Sequence, residues 1–300
     1  MVNPDLAVVV VTYNSAHVVA NLLDTIPAAL DGLAADVVVV DNGSTDGTPE
    51  LLAARSDCRL VRATNRGYAA GINRGVREAK QAPAILVLNP DVTLTPGSVR
   101  PLLAALRKPD TGVVAPQVRG PDGSLHRSLR REPSLARAMG LNFTGLPVFA
   151  EYVTRPAEYA VPRVVDWALG AALLISRECF DAVGGWDESY FLYSEETDFS
   201  LAARDRGFHT RYEPAAVVTH IGGQSGQNEK THAMQIVNRV RLYRRRHSRP
   251  AAWLYFALTV ASELTWAVRA GRRSAFAVLA LIRPARRPDE LGCSDRLLPA

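Results

Sequence analysis

The sequence predicts an α/β fold, a mostly parallel sheet with helices on both faces, followed by a helical C-terminal extension. Three observations predict it. Short β-branched apolar runs alternate with helical apolar periodicity through the first third of the 300 residues, and a βαβαβαβ series implies parallel pairing under right-handed crossovers. Polar clusters follow three successive strand segments, at the carboxyl ends where open α/β sheets bind ligands. From Lys230 onward the pattern turns to helices studded with arginine.

The elements follow in order. Leu6–Val11 is short, apolar and β-branched, a buried parallel strand. It ends at Thr12-Tyr13-Asn14-Ser15, where Asn14 or Ser15 can cap the next helix. Val18, Leu22, Leu23, Ile26 and Leu30 give that helix an apolar face. Asp36–Val40 is the second strand and ends in Asp41-Asn42-Gly43-Ser44-Thr45-Asp46-Gly47. A helix (Pro49–Arg55), a strand (Arg59–Ala63), a glycine-spaced helix (Gly67–Ala79) and a strand (Ala84–Leu88) come next. The last of these stops at Asn89-Pro90-Asp91. Gly112–Val118 is a further strand. Gly120–Pro162, broken by proline and glycine, reads as a long excursion that covers the site. Val164–Ile175 is expected to be one strand, Glu195–Arg206 a helix, and Val217–Thr219 a last strand before His220. Helix is expected from Lys230 to about Arg246. Two apolar stretches bounded by arginines follow, Ala251–Val268 and Ser274–Ile282. The expected division is a body over 1–228 and a basic helical tail over 229–300.

Composition excludes several classes. Apolar residues make up 47% and charged residues 22%, which suits a chain with a sizeable core rather than a disordered one. Cys58, Cys179 and Cys293 are far apart, odd in number and without CxxC spacing, against a disulfide scaffold or a thiolate zinc site and in favour of a reducing compartment. Met1–Asn14 lacks a basic region and carries too short an apolar run for a signal peptide or a span. No GxGxxG follows the first strand and no GxxxxGK[ST] occurs, so the dehydrogenase and P-loop readings lose their support. Net charge is +5, yet Arg239–Arg287 holds twelve arginines, no lysine and one acid, Glu263, a surplus of eleven positive charges that leaves the rest of the chain at six net negative. A basic tail on an acidic body points to nucleic acid or an anionic membrane surface. Only three of the 35 basic residues are lysine. Arginine binds phosphate bidentately, and a GC-rich genome produces the same bias.

The strand-end clusters carry the candidate chemistry. Asp41 can accept from a ribose hydroxyl or a base N–H, or it can form a turn with Ser44. Gly67, Gly71 and Gly75 line one helix face and allow close approach of a sheet or a ligand. Asp91 can ligate magnesium or manganese on a diphosphate, or it can make an Asx turn. Glu195 and Glu196 open a helix, as dipole compensation or as a general base taking a proton from an attacking hydroxyl. Trp186, Tyr190, Phe191 and Tyr193 upstream form either a sugar-facing wall or core. His220 suits manganese as a partner to Asp91, or serves structure alone.

Together these segments resemble the family 2 glycosyltransferases, inverting nucleotide-sugar enzymes of GT-A fold. The resemblance runs from Leu6 to His220 in the family's order: Val-Thr-Tyr-Asn (11–14), Val-Asp-Asn-Gly-Ser-Thr-Asp-Gly-Thr (40–48), Asn-Arg-Gly-Tyr-Ala-Ala-Gly-Ile-Asn (65–73), Leu-Asn-Pro-Asp (88–91), Gly-Gly-Trp-Asp-Glu (184–188), Glu-Glu-Thr-Asp (195–198) and His220. Asn-Pro-Asp and Tyr-Ser-Glu-Glu-Thr-Asp look most like the rhamnosyltransferase branch, which moves L-rhamnose from a dTDP carrier in bacterial cell-wall and surface-polysaccharide assembly. The resemblance implies that Thr12, Tyr13, Asn14 and Asp41 hold base and ribose, and that Asn65, Gly67, Gly71 and Asn73 line the nucleotide pocket. Asp91 matches the last acid of the family's Asp-x-Asp, with Asn89 in place of the first. With His220 it would hold Mg2+ or Mn2+ on the diphosphate. Glu196 matches the catalytic base, Glu195 is the second choice, and Trp167 and Asp187 fall at acceptor contacts.

The tail is then expected to lie on the cytoplasmic face of the plasma membrane. Trp253, Tyr255, Phe256 and Trp266 would anchor it, and its arginines would face anionic headgroups at roughly 1 kcal/mol each. Glu263 interrupts its longest apolar run, which disfavours a span. A packed helical subdomain or a homodimer contact is the alternative. The expected partners are a nucleotide-sugar donor, dTDP-rhamnose first, with UDP-sugars or GDP-mannose as alternatives, and a polyprenyl-diphosphate-linked or other glycan acceptor. A nucleotidyltransferase would show a Gly-rich basic loop after the first strand, where Thr12-Tyr13-Asn14 stands. No nucleic-acid motif accompanies the arginines.

Overall fold

The structure is a computed structural model that describes residues 3–222 and 228–291. Cys293 lies outside the described residues. The strands and helices alternate at first as the apolar pattern requires: β1 (Leu6–Thr12), α1 (Val19–Leu30), β2 (Ala35–Asp41), α2 (Thr48–Ala53), β3 (Arg59–Arg62), α3 (Tyr68–Glu78) and β4 (Ala84–Leu88). They pair in parallel in the order β3-β2-β1-β4. Every residue of β1 is buried, as a central strand covered on both faces must be. Val8 and Val10 pack under α1, while Val9 and Val11 pack under α3 on the other face, following the alternation of side chains along a strand.

β5 (Val92–Leu94), α4 (Val99–Leu106), β6 (Thr111–Arg119), β7 (Leu129–Arg130), α5 (Leu135–Ala138), β8 (Arg163–Val165), β9 (Trp167–Ala168), β10 (Ala172–Ser176), α6 (Arg177–Val183), α7 (Glu195–Asp205) and β11 (His209–His220) complete the body. The sheet continues β4-β10-β6-β11-β5, with β8 on β11. β10 runs antiparallel to both neighbours, so this half of the sheet is mixed. The expected strand over Val164–Ile175 is three short strands. β8 pairs with β11, β9 pairs with β7 in a separate two-stranded sheet, and β10 joins the main sheet. The chain bends at Leu169–Ala171, where a Cβ on Gly170 would touch Glu196 Cβ at 3.4 Å. The last strand is twelve residues instead of three. Its register against β6 slips between Glu213 and Val217, where Pro214 cannot donate to the ladder and the alternation is lost.

The tail forms α8 (Glu229–Arg246), α9 (Arg249–Ala270) and α10 (Arg272–Ile282). These helices share a core of their own, with Ile236, Val237, Val240, Tyr243, Tyr255 and Leu281, and Phe191, Leu192 and Tyr193 of the body pack against it. Asn238 donates to the carbonyls of Leu192 and Tyr193 at 2.9 and 3.2 Å. Four tail arginines expected at headgroups are bound to the body instead. Arg239 meets Glu151 at 3.4 Å, Arg245 meets Asp187 at 2.5 Å, Arg246 meets Asp205 at 2.7 Å, and Arg241 donates to Ser189 O at 2.7 Å. Tyr255, an expected anchor, is buried and stacks on Tyr243 at 3.9 Å. Trp253 and Trp266 are exposed. Glu263 meets His232 at 3.0 Å, which explains an acid within this apolar helix. Among the described residues one helix, Arg249–Arg269, is long and apolar enough to cross a membrane by length and composition alone.

Candidate active site

The carboxyl ends of β1 and β2 are laced into one loop system. Asp41 is buried and accepts from Thr12 Oγ1 at 3.2 Å, from Ser44 Oγ at 2.5 Å and from Ser44 N–H at 3.1 Å. Asn14, with φ 50°, donates its N–H to Ser44 Oγ and accepts from Thr45 N–H, both at 2.8 Å. Asparagine tolerates this left-handed geometry better than most residues. Tyr13 is 54% exposed beside these loops, free to stack on a planar ligand. Asn65 Oδ1 accepts from Gly67 N–H at 3.1 Å, and Asn42 Nδ2 donates to Gly67 O at 3.1 Å.

Gly67, Gly71 and Asn73 hold neighbouring segments together. Gly67 has φ 96°, and a Cβ there would strike the Phe191 backbone. The following N–H, of Tyr68, donates to Phe191 O at 2.9 Å. A Cβ on Gly71 would lie 2.6 Å from Val11 Cγ1. Asn73 donates to Trp186 O at 2.8 Å and accepts from Trp186 N–H at 2.9 Å. These contacts seat α3 on the sheet and hold the 185–191 segment, so Gly71 and Asn73 face packing partners.

Asp91 and His220, 129 residues apart in sequence, meet because β5 pairs with β11 in the register His220↔Val92. His220 Nε2 lies 3.2 Å from Asp91 Oδ1, and Gly222 N–H donates to Asp91 Oδ2 at 3.0 Å. Both side chains are buried. Asn89 sits at the same strand end, partly buried, its N–H donating to Ala171 O at 2.9 Å. Among the described residues no three metal-ligating side chains cluster. One carboxylate and one imidazole suit a hard or borderline cation that takes its other ligands from a diphosphate and water.

The carboxylates Glu195 and Glu196 stand at the start of α7. Tyr193 and Ser194, just before them, both have positive φ, 69° and 73°. Two consecutive non-glycine residues in the left-handed region store strain where such strain is usually functional. Oε2 of each glutamate is buried without a hydrogen-bond partner among the described residues. Burial pushes both carboxyls above the ordinary range. Glu196 adds to the rise at Glu195, and the Arg130 charge partly offsets it at Glu196. Burial also raises the Tyr68 hydroxyl, and Glu195, Glu196 and Asp91 raise it further. Tyr68 therefore marks where the strand-end cluster and α7 face one another.

Glu196 lines a small cavity of about 90 Å³ with Arg130, Glu151, Tyr152, Trp167 and Arg239. Trp167 is fixed as its wall by donating Nε1–H to Arg131 O at 3.1 Å. Glu195 is not among the residues lining this cavity. Asp187 is not on its wall; it bonds Ser189 N–H at 2.9 Å and Arg245. Arg130, Glu151, Tyr152 and Arg239 escape the sequence reading because they come from the irregular excursion and from α8, neither of which carries a motif. A larger hollow of about 350 Å³ between α1 and the start of β2 is lined by Leu23, Ile26, Leu30 and Val37, at the opposite ends of the strands.

Residues 7–155 match the model of the family described as glycosyl transferase family 2. The N-acetylglucosaminyl-diphospho-decaprenol L-rhamnosyltransferase of Mycobacterium tuberculosis is 34% identical over 246 residues, covering 76% of this chain and 80% of the relative. The chain belongs to glycosyl transferase family 2. A low-salt glycan biosynthesis hexosyltransferase of Haloferax volcanii is 28% identical to this family 2 chain, over 67% of it and 62% of the relative. A mannosyltransferase from Pyrobaculum calidifontis, solved with GDP-Man and Mn2+, superposes with a TM-score of 0.57 at 18% identity over 99% of this chain and 85% of its own. GalNAc-T7, solved with UDP, GalNAc and Mn2+, gives 0.59 at 18% identity, over 80% of this chain and 47% of its own. These structures show that the family 2 glycosyltransferase has the GT-A fold.

Proposed function

We propose that this glycosyltransferase moves L-rhamnose from dTDP-L-rhamnose to a hydroxyl of a polyprenyl-diphosphate-linked glycan acceptor, with inversion at the anomeric carbon. The observation that carries the reading is Glu196. It lines the cavity walled by Trp167, its buried Oε2 has no hydrogen-bond partner among the described residues, and its charge acts with that of Asp91 on the Tyr68 hydroxyl. A carboxylate held short of its full hydrogen-bond complement is poised to take a proton from an incoming hydroxyl. That hydroxyl attacks the anomeric carbon from the face opposite the leaving diphosphate, and one displacement inverts the configuration. Tyr13, Asn14 and Asp41 position the nucleoside, and Trp167 shapes the acceptor wall. Asp91 and His220 would hold a Mg2+ or Mn2+ ion, which when bound offsets the charge on the departing diphosphate. The acceptor, by analogy with the mycobacterial rhamnosyltransferase, is the lipid-linked one named for that relative.

In this reading residues 1–228 perform transfer and 229–300 dock the enzyme on the cytoplasmic face of the membrane. Trp253, Leu254, Leu264, Trp266 and Val268 of α9 are exposed. So are Met139, Phe143, Leu146 and Val148 in the segment that packs on α9, where Gly140 meets Ser262. Exposed arginines 269, 272, 273 and 283 flank this apolar face, the combination that interfacial anchors use. Thermal-shift titration with dTDP-rhamnose, UDP-sugars and GDP-mannose, each with Mn2+, tests the donor. A selective rise with dTDP-rhamnose is expected. A selective rise with GDP-mannose or a UDP-sugar would replace the donor and leave the transfer chemistry standing.

A further inference from the structure

The cavity beside Glu196 holds two arginines that the transfer chemistry does not use. Arg130 comes from β7. Its guanidinium lies 3.9 Å over the Tyr152 ring and 5.7 Å from Trp167, and its Nη1 donates to the carbonyls of Arg127 and Leu129. No carboxylate among the described residues forms an ion pair with it, although its charge is felt by Glu196, which lines the same cavity. Arg239 comes from α8 and reaches the same cavity, held at 3.4 Å from the largely buried Glu151. Those carbonyls take Nη1, and a cation clamped on aromatic faces keeps its remaining Nε and Nη2 edge for a planar anion contact. The wall that carries Tyr152 is continuous in sequence with the exposed apolar segment of Met139–Val148. An anion held at Arg130 would share its cavity with Glu196, and the Tyr152 ring under Arg130 follows that apolar segment closely in the chain.

We propose that Arg130, supported by Arg239, forms an acceptor-side phosphate subsite that holds the diphosphate between the acceptor's sugar and its lipid. The proposal rests on the lipid-linked acceptor reading above. It assigns the donor diphosphate to Asp91 and His220 and the acceptor diphosphate to the arginines, two separate groups of residues. Holding the acceptor by its phosphate places the attached sugar at Glu196 and orients the chain toward the membrane face. Arg239 also lets the C-terminal helices contribute directly to the active site, so the tail is part of the acceptor site as well as a membrane anchor.

Farnesyl diphosphate tests the subsite without sugar transfer, with farnesol as the neutral probe. The wild-type enzyme is expected to bind farnesyl diphosphate more tightly than farnesol in calorimetric titration. Arg130→Gln is expected to weaken the diphosphate probe at least tenfold (about 1.4 kcal/mol) with farnesol and the donor nucleotide unmoved. Arg130→Lys, which keeps charge without the fork, is expected to fall between, and melting curves establish that each variant is folded. Equal binding of both probes by the wild type would overturn the proposal. So would unchanged diphosphate binding by folded Arg130→Gln, or equal losses for donor and probe. Should the subsite bind as expected while no prenyl-diphospho-sugar accepts a sugar, the acceptor reading fails and the phosphate site stands.

Discussion

Glu195 and Glu196 are adjacent in the chain, yet the first turn of α7 sends them to different surroundings. Only Glu196 opens onto the cavity, so Glu196→Gln is expected to lower kcat by at least a hundredfold, the scale of a lost general base, with donor affinity retained. Near-normal turnover in that variant would exclude it as the base. Because burial raises the Glu196 carboxyl, the base loses its charge at a higher pH than a free glutamate. The acid limb of kcat/KM is expected above the usual carboxylate range, and a limb at or below pH 4 would contradict this. Glu195 should reveal itself in stability. Its folded-state carboxyl is raised above the unfolded value, so its contribution is present below the unfolded pKa and is lost as pH rises. Glu195→Gln is therefore expected to raise Tm at pH 7 and to lose that advantage near pH 4. An equal gain at both values would place the effect in packing rather than charge.

At the scale of elements, Gly67 shows how the glycine-spaced helix serves the site. It sits at φ 96° with its Cα against the Phe191 backbone, and the chain from Phe191 leads through the strained Tyr193-Ser194 pair into α7. Gly67→Ala is expected to destabilise by at least about 1–3 kcal/mol through left-handed strain and overpacking. It should also reduce kcat, because α7 must shift. A drop in Tm with kcat intact would separate α3 seating from base placement. The strands of the parallel half were legible because buried β-branched runs and polar strand ends are local signals. The pairing of Asp91 with His220 was an open choice on ligand chemistry and was decided only by the ordered resemblance, since the register of β5 on β11 is a long-range event. The broken strand over 164–175 was not legible. Its apolar residues serve three partners, and nothing local shows that Gly170 turns the chain beside Glu196. Arg130 and Arg239 were invisible for the same reason: each reaches the cavity by tertiary packing from a segment without periodic or motif information.

For the whole molecule, the uneven charge resolves into two kinds of arginine. Arg239, Arg241, Arg245 and Arg246 bind acids or carbonyls of the body and fasten α8 to it. Arg269, Arg272, Arg273, Arg283 and Arg286, at and after the end of α9, are exposed in a stretch that also exposes apolar side chains. If that face docks on anionic lipid, its apolar residues and outer arginines should contribute separately. Phe143→Asp, at a side chain 75% exposed, removes apolar contact and adds repulsion without disturbing a core. It is expected to lower flotation with phosphatidylglycerol vesicles several-fold. Arg272→Gln with Arg273→Gln is expected to cost about 1 kcal/mol per charge on those vesicles and little on neutral ones. Raising the salt should weaken the wild type toward the level of the double variant, since exposed charges are screened over a Debye length of about 8 Å at physiological salt. Equal flotation of wild type and both variants on anionic vesicles would mean that the face is covered by something other than lipid. A second copy of the chain would then be the occupant to look for, by sedimentation at rising concentration.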